Sequence, residues 1–171
     1  EKVDITLVTP LDAAFTKPVA ARELGGFLAE KNINIVTDFN IGRVANDEKK
    51  IYSWDERVVE FDLLISIPTN MGNRMIERSS LGDELNFVPT DRNTLQSKQW
   101  ENIFAIGDAT DLPTSKAGSV AHFESEILFE NIIHAINNEP LSASFDGHAN
   151  CFIESGDGKG LLIDFNYDTE P

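Results

Sequence analysis

Two groups in this chain are placed where they could do chemistry. The first is Asp108, which follows the apolar run Ile103-Phe104-Ala105-Ile106 and Gly107 in the string Asn102-Ile103-Phe104-Ala105-Ile106-Gly107-Asp108-Ala109-Thr110. An apolar run of that length closed by a turn signal predicts a buried strand. Gly107 has no Cβ and admits close approach of a ligand or another backbone. Asp108 would then stand at the carboxyl end of a strand, where open α/β sheets collect their ligands. Its carboxylate could accept hydrogen bonds from sugar-like hydroxyls. An ordinary strand closed by an Asp-containing turn would read the same way. The second group is Cys151, the single cysteine. A lone cysteine on a strand is ordinarily a small buried hydrophobe, but its thiolate is a nucleophile and a redox group.

These groups need elements to hold them. Residues 119–137 predict one helix directly after the Asp108 segment, with Val120, Phe123, Ile127, Leu128, Asn131 and Ile132 on a mostly apolar face. Glu124, Glu126 and Glu130 are expected near its exposed sides. His122 and His134 also fall on this helix and are read as surface or core-edge residues. Twelve residues apart, about 18 Å of axial rise, they cannot share a metal ion, and no metal site is expected. Around Cys151, residues 148–155 and 161–167 predict a β-hairpin about the Gly-rich turn at 156–160.

The first half of the chain reads as strand, helix, strand. A strand opens at Val3 and runs to Pro10. A helix over 17–31 has Pro18 in its first turn and Thr16 as its cap. A second strand covers 33–37. This β-α-β order is the signature of a parallel sheet. Gly25 and Gly26 lie inside the helix, where packing or a bend is their expected use; no GxGxxG phosphate loop accompanies the first strand. Strands at 41–45, 50–54 and 57–61 predict a three-stranded antiparallel insert. Residues 62–68 predict a buried strand ending in Pro, and 72–80 a short helix. Leu95 and Trp100 are expected packing anchors. The chain is therefore expected to begin partway through a dinucleotide-type domain.

Composition bounds the function classes. In 171 residues, 29 acidic side chains stand against 14 basic ones, a net charge of −15. That disfavours nucleic acid or an anionic lipid surface as partner. Hydrophobic residues make up 41% of the chain, with 11 Phe, enough for a packed core. No run of about 18 apolar residues predicts a membrane span, and no signal peptide is visible. One cysteine excludes an internal disulfide and a multi-thiolate metal site.

The string from Asn102 to Thr110 continues through Pro113, Lys116, Ala117, Gly118, Ser119, Val120, Ala121, His122, Phe123 and Glu124. As a whole, NIFAIGDATDLPTSKAGSVAHFE resembles the second flavin-binding motif of the FAD-dependent pyridine nucleotide-disulfide oxidoreductase superfamily, most closely its sulfide:quinone oxidoreductase and flavocytochrome c sulfide dehydrogenase branch. The resemblance is good over 97–166 and holds at fold level before that. It implies that Asp108 binds the ribityl chain of FAD and that the following helix points its N-terminus at the flavin, where free N–H groups favour electron-rich atoms. Gly107, Asp108, Ala109, Lys116, Ala117 and Gly118 are the cofactor-binding residues so implied. Lys116 is either a solvated loop lysine or a cation beside the flavin that stabilises its reduced, anionic form. Cys151 is implied as the catalytic half of a redox cysteine pair facing the flavin; the other half is expected upstream of Glu1.

The implied architecture is α/β. Residues 1–96 form an incomplete second, NAD-type dinucleotide-binding domain: a Rossmann-like parallel sheet with its antiparallel insert. Residues 97–140 form the returning strand and helix of the FAD domain, and 141–171 the start of a C-terminal hairpin region. The implied function is oxidation of sulfide through a cysteine–flavin centre, with electrons passed to a quinone or a cytochrome. Two alternatives stay open: an NADH-dependent flavin oxidoreductase acting on quinone or disulfide, and a flavin-free binding scaffold of the same fold. The chain alone is expected to be inactive and not to retain FAD. The parent is expected to be cytoplasmic or peripheral to a membrane, attached only through segments outside this chain, and oligomeric.

Overall fold

The computed structural model describes residues 3–169; Glu1, Lys2, Glu170 and Pro171, the outermost residues of the expected domains, lie outside the described residues. The chain forms two compact units that divide after Pro68.

The first unit opens with β1 (Ile5–Val8), α1 (Pro18–Glu30) and β2 (Ile33–Val36). β1 and β2 pair in parallel, Ile5 opposite Ile33 through Val8 opposite Val36. The crossover helix begins with Pro18 at its first position, where the missing N–H costs nothing. Its N-cap residue is Lys17, not Thr16. A Cβ added at Gly25 or Gly26 would meet nothing within 4 Å, so close packing does not explain these glycines.

An antiparallel sheet follows, β3 (Ile41–Ala45), β4 (Lys50–Ser53) and β5 (Val58–Glu60), as the sequence predicts. Its core residues are Ile51 and, just before β3, Phe39. Arg57 ties this sheet to the end of β2: its guanidinium donates to the carbonyls of Thr37, at 3.0 Å, and of Asp38, and lies over the Phe39 ring. The expected strand at 62–68 is not formed. Leu63, Ile65 and Ile67 are 80%, 87% and 85% exposed. Alternation gave this segment a strand pattern, but a strand needs a neighbouring backbone to complete its hydrogen bonds, and no such ladder exists here among the described residues.

The second unit contains the short helix α2 (Arg74–Arg78), a 3-10 turn at Gly107–Ala109, the long helix α3 (Gly118–Ile136), and the hairpin β6 (Ala149–Gly156) and β7 (Lys159–Phe165). α2 is capped by Asn73, whose side chain accepts from Met75 N–H at 2.8 Å. The hairpin turns at Asp157-Gly158, both with positive φ (54° and 68°), the backbone that matches the twist of paired strands. The apolar run 103–106 is extended but joins no ladder; it makes one bridge, Gln96 with Phe104. Ser97 N–H donates to the Ile103 carbonyl and Ala105 N–H to that of Leu95. Leu95 is a fully buried anchor, whereas Trp100, at the turn between these segments, is 52% exposed. The indole lies where Ile103 N–H closes back on the Trp100 carbonyl, and a tight turn leaves its side chain facing out. The whole is a mixed α/β fold with a parallel pair, a three-stranded antiparallel sheet and a C-terminal hairpin.

Candidate functional site

The site is built on the turn that carries Asp108. Gly107 has φ +63°, a left-handed backbone that a side chain would strain, and a Cβ there would press on Ala121 at 3.3 Å. The turn is fastened from both sides. Gly107 N–H donates to Glu124 Oε2 on α3 at 2.5 Å. On the other side, Thr110 returns both its N–H and its hydroxyl to the Gly107 carbonyl, at 3.2 and 3.0 Å. Val88 N–H donates to the Ala109 carbonyl at 2.8 Å. Asp108 itself is exposed, with its carboxylate free to meet a ligand while its backbone is fixed.

Lys116 has a partner inside the protein. Its ammonium donates to the Thr110 carbonyl at 2.6 Å and lies 4.3 Å from the centre of the Phe87 ring. The lysine thus braces the motif turn and places a positive charge beside it.

α3 presents its N-terminus to the same place. Its N-cap residue is Ala117, which offers no side-chain acceptor, so the first-turn N–H groups are not satisfied by a cap. A Cβ on Gly118 would meet nothing within 4 Å, so the approach to this helix end is open. One residue on, Ser119 Oγ donates to the Asn150 carbonyl at 2.7 Å. That bond fixes β6 beside the first turn of α3, one residue from Cys151. Cys151 pairs with Ile163 across the hairpin and Ala149 with Phe165, and this is its buried face. Cys151 is half-buried there. His148 stacks flat on Phe123 of α3, centroids 4.1 Å apart, and its Nε2 lies 3.3 Å from Asp164 Oδ2. Asp108, the start of α3 and the Cys151 strand are thereby held in one body.

Glu124 is where the sequence reading failed. Expected at an exposed side of α3, it is 0% exposed. Burial pushes its carboxyl above the usual range and the Asp108 charge adds to that, against the Gly107 N–H and the Lys116 charge, which pull it down. The signal was present: Val120, Glu124 and Asn131 are spaced four and seven apart and share one helix face, and all three are buried. Asn131, recognised as a member of that face, is also a clamp. Its amide donates to the carbonyls of Thr94 and Ala143, at 3.0 and 2.9 Å, and accepts from Ala143 N–H at 3.1 Å. Glu126 and Glu130 are exposed as expected. His122 is exposed, edge-on to Phe123, and His134 Nδ1 meets Ser142 Oγ at 3.3 Å near the end of α3. Among the described residues no group of three His, Cys, Asp or Glu side chains could hold a metal ion, and no helix is long and apolar enough to cross a membrane.

No family model matches the chain. It is 37% identical over 111 residues, 65% of its length, to the mitochondrial sulfide:quinone oxidoreductase of Schizosaccharomyces pombe, covering 24% of that protein. It is 26% identical to the mitochondrial sulfide:quinone oxidoreductase of Mus musculus over 99% of its length, covering 39% of that protein. The chain therefore spans well under half the length of these relatives. Among solved structures, the sulfide:quinone oxidoreductase of Aquifex aeolicus superposes with a TM-score of 0.76 at 17% identity, over 96% of this chain and 43% of that one. A chain in the Tetrahymena thermophila mitochondrial ATP synthase superposes equally well, TM-score 0.76 at 21% identity, over 95% of this chain and 40% of that one. By sequence the chain is similar to mitochondrial sulfide:quinone oxidoreductases, and it shares the fold of the Aquifex aeolicus enzyme.

Proposed function

We propose that this chain is the flavin-side wall and thiol strand of an FAD-dependent oxidoreductase that oxidises sulfide and hands the electrons to a quinone or a cytochrome. One observation carries the reading. The Asp108 turn, the uncapped start of α3 and the Cys151 strand are locked together by the Gly107–Glu124 and Ser119–Asn150 hydrogen bonds. The residues fit FAD. Asp108 offers an exposed carboxylate to ribityl hydroxyls. The open helix end at Ala117 and Gly118 offers N–H donors to the electron-rich edge of the flavin. Gly107 and Ala109 keep the turn slim, and Lys116 adds a fixed cation next to it. When bound, FAD supplies the acceptor for the two electrons that sulfide releases as its sulfur becomes zero-valent and is carried on a thiol pair. Cys151 is one thiol of that pair; with one cysteine in 171 residues, the second comes from elsewhere in the protein. Residues 1–96, 97–140 and 141–171 are read as parts of a second dinucleotide domain, the returning FAD segment and the C-terminal hairpin region. The exposed Leu63, Ile65 and Ile67 support assembly with further protein surface.

The test uses the complete protein. Cys151→Ser is expected to abolish sulfide-dependent flavin reduction while FAD stays bound, because serine cannot exchange with sulfur. Asp108→Ala is expected to lose FAD first. Near-normal sulfide turnover in Cys151→Ser, or a flavin bleached by NADH and not by sulfide, overturns this reading in favour of an NADH-dependent enzyme. A second reading is a flavin-free binding scaffold of the same fold. An absorbance spectrum of the complete protein without a flavin band would select it.

A further inference from the structure

Glu124 is a titratable group that the proposed chemistry does not use. It is fully buried, its Oε2 takes the Gly107 N–H, and its Oε1 is buried without a hydrogen-bond partner. An unpaired buried carboxylate oxygen is costly, and a fold retains one where the group is held neutral or serves a neighbouring site. The neighbour here is the Asp108 turn, joined to Glu124 by a single bond at the residue that must adopt a left-handed backbone.

We propose that Glu124 is a positioning residue for the cofactor: it anchors the Gly107–Asp108 turn through the Gly107 amide, and in doing so makes cofactor affinity depend on whether Glu124 carries a proton. The inference rests on the reading of Asp108 as an FAD-binding residue. The charged and titratable groups around Glu124 come from each neighbouring element. Asp108 belongs to the motif turn and Lys116 to the loop before α3, and both act on its charge. Tyr167, beyond β7, feels that charge in turn. His148, just before β6, is stacked on Phe123, one residue before Glu124. Neutral Glu124 leaves Asp108 and Lys116 as a balanced pair next to the ligand. Ionised Glu124 puts a second negative charge under the turn, and the anionic cofactor meets repulsion. Burial favours the neutral form, so affinity should be highest at low pH and fall as pH rises above the ordinary carboxyl range.

Glu124→Gln keeps an acceptor for Gly107 N–H and removes the titration. Glu124→Leu removes both. In the complete protein, FAD dissociation constants measured by flavin fluorescence between about pH 5 and about pH 8 should weaken with rising pH in the parent and stay flat in Glu124→Gln. Glu124→Leu should bind FAD about tenfold more weakly than the parent at about pH 5, the size of one lost buried hydrogen bond, with a flat profile that narrows the gap as pH rises. Its Gly107 amide should also exchange with solvent deuterium faster than in the parent. Three results overturn the proposal: a Glu124→Gln profile that follows the parent's, Glu124→Leu with parental affinity at about pH 5, or unchanged Gly107 protection in Glu124→Leu. If Glu124→Leu does not fold, the Glu124→Gln profile alone decides. A parent protein that binds no FAD at any pH overturns the functional reading and with it the cofactor role of Glu124. Gly107 exchange then still decides whether Glu124 anchors the turn.

Discussion

The two units of the chain are built on opposite plans. Up to Pro68, regular hydrogen-bonded ladders dominate: a parallel pair and a three-stranded sheet, with many apolar side chains left facing out, Ile5, Leu7, Ile35 and Val44 among them. After Pro68, much of the backbone between α2 and α3 is irregular, and side chains do the fastening. Glu124, Asn131, Lys116, Thr110 and Ser119 each bond a backbone group through the side chain. The difference teaches where precision is needed. A ladder repeats one geometry and tolerates side-chain change, whereas the Gly107–Ala109 turn is held by particular side chains, those of Glu124 and Thr110.

If this contrast is right, substitutions in the second unit cost far more than similar ones in the first. The two tryptophans, Trp54 and Trp100, lie one in each unit, so each unit's urea unfolding can be followed by fluorescence after the other Trp is changed to Phe. Asn131→Ala is expected to have the largest effect. It strands the Ala143 N–H and two carbonyls in the interior and should lower the stability of the second unit by about 3 kcal/mol. Gly147→Ala comes next, at about 2 kcal/mol. Gly147 has φ +87°, and a Cβ there would overlap the Tyr167 ring, which is held by Phe145, by Arg92 stacked 3.9 Å from its centre, and by its hydroxyl donating to the Arg92 carbonyl.

Glu124→Gln has a smaller effect, and only on the pH profile. The folded Glu124 binds its proton more tightly than the unfolded residue, whose ordinary value is 4.5. Its favourable contribution is therefore complete below 4.5 and is lost as pH rises through the raised folded value. The parent's second unit should lose stability over that rise, and Glu124→Gln should lose less; parallel pH profiles would contradict the burial of Glu124. Ile35→Thr, on the exposed ladder of the first unit, should change stability by less than about 0.5 kcal/mol. A cost above about 1 kcal/mol there would erase the contrast.

Local order carried most of the fold. Pro18 at a helix start, the alternating strands of 41–61, and Asp157-Gly158 between two β-branched and aromatic runs each report their own geometry, and the structure agrees at all three. The misses share a cause. Residues 62–68 and 103–106 have strand sequences, but pairing depends on a neighbour that no local pattern describes. Trp100 is expected to be a packing anchor, yet its turn faces it out. Glu124 is expected near an exposed side of α3, although its helical spacing from Val120 puts it on the buried face. For Lys116 the sequence leaves solvent and cofactor both open; its ammonium bonds the Thr110 carbonyl, six residues back, in a loop whose path the sequence does not reveal.

The Ser119–Asn150 bond joins the head of α3 to β6 across 31 residues of chain. His148 stacked on Phe123 is a second rivet between the helix and the hairpin. They should behave as one cooperative unfolding unit, with the amides of β6 and of the first turns of α3 exchanging at a common free energy. A cysteine carried on such a unit would move with the first turn of α3 and separate from it only when the unit unfolds as a whole.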